Sequence, residues 1–166
     1  VADIKECLGL LRDEEREKRA LNLNHLGMVY MELCTYEREQ ATAHAEEARR
    51  SLSESRQIFQ AQGDLIEAAR AEHNLGLLLM RTGGLAQRPR ALAQLASAQR
   101  CRRGRPIEEW ETLGSIVELR AMMGAPGRMA GDQQLIDDVD RLAGQLLAAG
   151  LAERGLRCRL YGLMLT

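Results

Sequence analysis

In four segments of like pattern a glycine directly follows a large apolar residue inside a stretch of helix-forming residues: Leu26-Gly27, Leu75-Gly76, Leu113-Gly114 and Tyr161-Gly162. A glycine in a helix interior costs roughly 1 kcal/mol against alanine. Its return at equivalent places means that something compensates for that cost, and close packing against a second helix would do so. The four glycines lie 49, 38 and 48 residues apart, the spacing of repeats with insertions.

Composition closes off the other fold classes. Only Tyr30, Tyr36, Phe59, Trp110 and Tyr161 are aromatic, and β-branched residues are scarce beside Ala, Leu, Glu, Gln and Arg. With 45% hydrophobic and 28% charged residues over 166 positions, an ordered all-α chain of one domain is expected across 1–166. Ala41, Ala45, Ala48, Leu52, Ser55 and Phe59 recur at steps of three and four, marking one face of a long helix that ends at Gly63-Asp64. Ala91, Leu92, Leu95, Ala96 and Ala98 predict a weaker helix after Pro89. Leu135, Ile136, Val139, Leu142, Ala143, Leu146 and Leu147 predict a strong one. Gly83-Gly84, Gly104-Arg105-Pro106, Gly124-Ala125-Pro126-Gly127 and Gly150 punctuate the pattern.

On these residues the chain resembles the tetratricopeptide repeat (TPR) family, whose first helix carries W-x2-L-G-x2-Y. Leu23-Leu26-Gly27-Tyr30, Glu72-Leu75-Gly76-Leu79, Trp110-Leu113-Gly114-Val117 and Cys158-Tyr161-Gly162-Leu165 occupy those four places in order. The run from Gly63-Asp64 through Ala68-Ala69 to Asn74-Leu75-Gly76 is similar to the longer repeats of signalling adaptors and bacterial regulators. Departures from the pattern are Glu39 where the second helix usually has alanine, Arg88-Pro89 after the second turn, and a late Gly124.

The resemblance implies a solenoid of antiparallel helix hairpins in a right-handed superhelix of about three to four repeats, with a concave groove lined by the first helices. Three before, one after and four after each glycine, the groove would present Asn24, Met28 and Met31, then His73, Leu77 and Met80, then Glu111, Ser115 and Glu118, and finally Arg159 with Leu163. Asn74 resembles the asparagine by which adaptor-type members hold a peptide backbone. Met28, Met31, Leu77 and Met80 form an adaptable apolar strip suited to a partner helix or leucine-rich peptide. The carboxylate clamp of some members needs Lys, Asn and Arg at set places, and Asn24 with Met28 does not reproduce it.

Charge is nearly balanced overall, at −1, but not along the chain. From His73 to Ile107 there are seven arginines (Arg81, Arg88, Arg90, Arg100, Arg102, Arg103 and Arg105) and no carboxylate. Six of them, Arg88 through Arg105, are expected to cluster as a patch for an acidic partner segment, unless acids elsewhere in the chain balance them. That stretch has no Phe, Tyr or Trp on which a base could stack, which argues against direct nucleic-acid binding.

Catalytic constellations are missing from the sequence. His25, His44 and His73 fall in no HExxH motif, and neither GxSxG nor a Walker-type loop occurs. The pairs Glu14-Glu15, Glu46-Glu47, Glu108-Glu109 and Asp137-Asp138 are adjacent, so on helices they diverge and serve solvated faces. Cys7, Cys34, Cys101 and Cys158 are too far apart for a CxxC site, and reduced, mostly buried thiols are expected. Neither a membrane-spanning run nor a signal peptide is visible, and no enzyme, metal or cofactor is expected.

The expected function is a cytoplasmic protein-interaction scaffold or adaptor that binds a peptide or helix of a partner. Its alternative is a regulatory or sensor segment of a larger signalling or transcription-regulating protein. Val1 in place of methionine predicts a piece of a longer chain, and apolar residues at both ends (Ile4, Cys7, Leu8, Leu11; Leu163, Met164, Leu165) predict truncation or self-association through the terminal helices.

Overall fold

Helix accounts for nearly every residue that the computed structural model describes, namely 1–10, 15–123 and 132–165, with backbone alone for Asp132 and 161–165. No strand occurs among the described residues. The order is α1 (Ala2–Leu10), α2 (Arg16–Tyr36), a 3-10 turn (Arg38–Gln40), α3 (Ala41–Gln62), α4 (Leu65–Thr82), α5 (Gly84–Arg102), α6 (Pro106–Met123), α7 (Asp132–Ala148) and α8 (Ala152–Leu165). The expected Gly124 to Gly127 turn, Leu11 and Thr166 lie outside the described residues, as do the side chains of Tyr161, Leu163, Met164 and Leu165.

Local chemistry sets the boundaries. At the end of α3, Gly63 takes the left-handed conformation at φ 77°, and the Asp64 N–H closes the helix on the Phe59 carbonyl. Asp64 then caps α4, its carboxylate accepting from the Glu67 N–H at 3.0 Å. One expectation needs correction here: α5 does not wait for Pro89 but starts at Gly84 and carries the proline inside. Pro89 sits within the first two turns, so the amide it lacks removes a single bond near the helix start.

Successive helices pack in antiparallel pairs. Arg19, early in α2, bonds Glu54 late in α3, and the Ser55 hydroxyl donates to the Ala20 carbonyl at 2.8 Å. At the opposite end the Cys34 thiol meets the Ala41 carbonyl. α4 and α5 pair in the same sense, Glu72 accepting from Ser97.

A shared close contact holds these pairs together. A Cβ on Gly27 would lie 2.5 Å from Leu52 Cγ and 3.3 Å from the Ala48 carbonyl oxygen. On Gly76 it would lie 2.8 Å from Leu95 Cγ and 3.5 Å from the Ala91 oxygen. A third instance lies where none was expected: Gly155 of α8 meets Leu147 Cγ at 2.7 Å and the Ala143 oxygen at 3.2 Å. Each partner helix supplies alanine and, four residues later, leucine, so one turn of helix slots against the bare glycine. Consequently α7 packs along α8 more extensively than along α6, although the sequence pattern pairs α6 with α7.

Two large apolar clusters result. Leu26, Tyr30, Met31, Ala48, Leu52, Leu75 and Leu78 unite α2, α3 and α4. The other joins α5 through α8 around Leu95, Leu113, Val117, Leu119, Val139, Leu142 and Leu146. Fully burying each leucine contributes about 1.5 to 3 kcal/mol. The cysteines depart from expectation, since Cys158 is buried but Cys7 and Cys101 are exposed. Among the described residues no helix is long and apolar enough to cross a membrane.

Candidate peptide-binding groove

Along α4, Arg70, His73, Asn74 and Leu77 fall at successive steps of three, one and three, which puts them on one helix face. Along α6, Ile107, Trp110, Glu111 and Ser115, at steps of three, one and four, also share one face. These two faces, with Met28 of α2, Glu108 of α6 and Arg102 of α5, line one groove of about 590 Å³.

Six of the residues expected from sequence to line a groove therefore share this one: Met28, His73, Asn74, Leu77, Glu111 and Ser115. Asn24 lies beneath it, buried, and accepts a 3.0 Å hydrogen bond from Asn74. Met31 and Met80 are off the groove: Met31 is in the core with Leu26 and Tyr30, and Met80 packs against the α5–α8 cluster. The reason is angular. Seven residues is about 20° short of two full turns, so each methionine returns to the side of Asn24 or His73 that faces the protein interior. Glu118 and Arg159 are exposed and do not line the groove.

As groove residues, sequence reasoning missed Arg70, Ile107, Glu108 and Trp110, and it assigned Arg102 to the arginine patch instead. Arg70 and Ile107 lay one step ahead of His73 and Trp110 on the same faces, and extending the pattern by one turn would have found them. Arg102 gave no such signal. It comes from α5, a second helix, and its burial depends on contacts made by α6.

Arg102 also requires the main correction to the expected arginine patch. Only 1% exposed, it donates to the Glu108 carbonyl at 3.2 Å and the Thr112 hydroxyl at 2.9 Å. Its nearest carboxylate oxygen, on half-exposed Glu111, stands 3.8 Å away, beyond hydrogen-bond reach. Arg103, though exposed, pairs with Asp138 at 2.7 Å, and Arg88 donates to the Met122 carbonyl. Arg90, Arg100 and Arg105 remain exposed, without a partner among the described residues. Part of the charge is thus balanced within the chain, by acids of α7 as well as by those that follow at once in α6.

The groove floor is electrostatically unusual. His73 is 7% exposed, and burial, reinforced by the Arg102 charge, pushes its imidazole down to about 3, so the ring is neutral at ordinary pH. Burial likewise lowers the Arg102 guanidinium, an effect opposed by Glu111, but arginine keeps its charge. Trp110 carries Arg154 over its ring at 5.4 Å. Three buried nitrogens of lining residues have no hydrogen-bond partner among the described residues: His73 Nδ1, Arg102 Nε and Trp110 Nε1.

Beside the groove, α6 and α7 share a second charged cluster. Glu109 is fully buried, accepting from Arg141 and, at 2.9 Å, from the Gly104 N–H, while Arg141 also reaches Asp138. Among the described residues no three His, Cys, Asp or Glu side chains are grouped to hold a metal ion. No protein-family model matches the chain, and comparison with curated proteins and with solved structures found no match.

Proposed function

We propose that this chain is a protein-interaction module that holds a peptide or helix of a partner protein in the groove between α4 and α6. The observation that carries this reading is that faces of α4 and α6, with residues of α2 and α5, converge on one cavity of about 590 Å³, within the usual range of roughly 300 to 1,000 Å³ for ligand sites. Met28 and Ile107 are exposed at 46% and 44%, beside half-buried Leu77 and Trp110. Such an apolar strip accommodates a leucine-like side chain, and methionine adapts its shape to the guest. Exposed Arg90, Arg100 and Arg105 suit a partner that carries acidic residues near its bound segment and would act mainly on association rate.

Selection of peptides from a random library against the whole chain tests this reading. Trp110 is the single tryptophan, so its fluorescence reports occupancy of the groove. Bound peptides should change that emission, and Leu77→Glu should abolish binding while circular dichroism stays unchanged. Binders that ignore both Trp110 and Leu77 would move the interaction surface elsewhere.

A further inference from the structure

The sulfur of Met28 has a different neighbour on each side. Among the described residues Met28 and Met122 are the exposed methionines, at 46% and 47%, whereas Met31 is 4% exposed and Met80 and Met123 are half-buried. Met28 lines the groove beside Leu77 and Ile107, and Met122 does not. Beneath the groove, Asn24 Nδ2 lies 4.0 Å from the Met28 sulfur, a long and weak hydrogen bond. Asn24 is itself 4% exposed, fixed by the bond its side-chain oxygen accepts from Asn74. One sulfur lone pair is therefore turned to the buried amide, and the other is left to the cavity.

We propose that Met28 is a reversible oxidation site through which peroxide closes the groove to apolar peptides. This rests on the reading of the groove as a peptide-binding surface and adds its regulation. The cavity-facing lone pair of sulfur attacks one oxygen of hydrogen peroxide, the O–O bond breaks and an S–O bond forms. The proton of the transferred oxygen passes to the departing one, which leaves as water. Sulfur is oxidised by two electrons and peroxide is reduced by two. Attack from the open side places the new oxygen in the groove, beside Leu77 and Ile107, rather than against Asn24. A flexible apolar side chain becomes a polar, chiral one, and reduction of the sulfoxide restores it. An apolar guest would strip water from that oxygen without offering a donor in exchange, which weakens its binding.

Two readouts test this on the whole chain, after alkylation of the exposed thiols of Cys7 and Cys101. With dilute hydrogen peroxide, peptide mapping by mass spectrometry should find Met28 and Met122 oxidised well before Met31. Methionine sulfoxide reductases fall into two classes, each specific for one epimer, so digests treated with either class report the epimer ratio. Met28 should give one epimer in severalfold excess, and Met122, whose sulfur accepts no hydrogen bond among the described residues, a ratio closer to even. Binding is read by fluorescence anisotropy with a labelled, leucine-bearing peptide from the library. Oxidation should weaken it about tenfold, and the reductase class that acts on the Met28 epimer should restore it. Met122→Leu should respond to peroxide as the parent does, whereas Met28→Leu should lose the response.

An even epimer mixture at Met28, or oxidation of Met28 no faster than that of Met31, overturns the assignment, and both are read without any guest. A peptide affinity that ignores Met28 oxidation overturns it too, as does a loss that persists in Met28→Leu and so belongs to another residue. The groove reading fails separately, when peptides selected by the untreated chain ignore Trp110 and Leu77.

Discussion

Asn74 on α4 donates a 3.0 Å hydrogen bond to the side-chain oxygen of Asn24 on α2, and both residues are buried. It ties the first two helix pairs together directly beneath the groove. Asn24→Ala should strand the Asn74 amide and cost roughly 1 to 3 kcal/mol. Replacing both by leucine should cost less than the two single changes summed. Urea denaturation of the four variants measures that difference, and strict additivity would show that the bond does not couple the pairs.

Close packing at Gly76 is open to a compensated test. Gly76→Leu should destabilise by roughly 1 to 3 kcal/mol, because even a Cβ would stand 2.8 Å from Leu95 Cγ. Adding Leu95→Ala should restore part of the loss by vacating the contested space. A Gly76→Leu variant that melts like the parent chain would refute the contact.

Acid should weaken the fold through His73. Its folded value of about 3 lies below the 6.5 of an unperturbed imidazole, so between these limits the unfolded state binds the extra proton. Stability contributed by the neutral ring is complete above 6.5, falls as pH drops through that value and levels off near 3. At pH 5 the loss reaches about 2 kcal/mol. Thermal melts of the parent and of His73→Gln between pH 7 and pH 5 should diverge, with the variant less sensitive to acid. Parallel curves would place the acid sensitivity elsewhere.

The two ion pairs of α7 should differ in weight. Glu109→Gln removes a fully buried carboxylate and leaves Asp138 as the carboxylate partner of Arg141, for a cost of roughly 2 kcal/mol. Arg103→Ala breaks a pair whose arginine is 56% exposed and should cost less than about 1 kcal/mol. Denaturation midpoints compare them directly, and equal losses would contradict the ranking.

Helix identity was legible in the sequence because its signals are local. The periodic face from Ala48 to Phe59 and the Gly63-Asp64 stop need no knowledge of the rest of the chain. Glycine contacts were legible at Gly27 and Gly76 but not at Gly155, which follows Arg154 rather than a large apolar residue. The complementary signal lay on the partner helices, as Ala48 and Leu52, Ala91 and Leu95, and Ala143 and Leu147. Half of the groove followed from spacing along single helices. Arg102 and Arg103 could not be told from Arg100 and Arg105, since neighbouring arginines in one run are separated only by what α6 and α7 bring to them.

The same distribution of charge sets an order of events during synthesis. Arg103 leaves the ribosome 35 residues before Asp138, and Glu109 emerges 32 residues before Arg141. Until α7 has emerged, a nascent chain holds the buried acid of α6 and Arg103, just after α5, without their ionic partners. Arrival of α7 therefore closes the charge network and one wall of the α5–α8 core in a single step, and a chain halted before Asp132 would lack both.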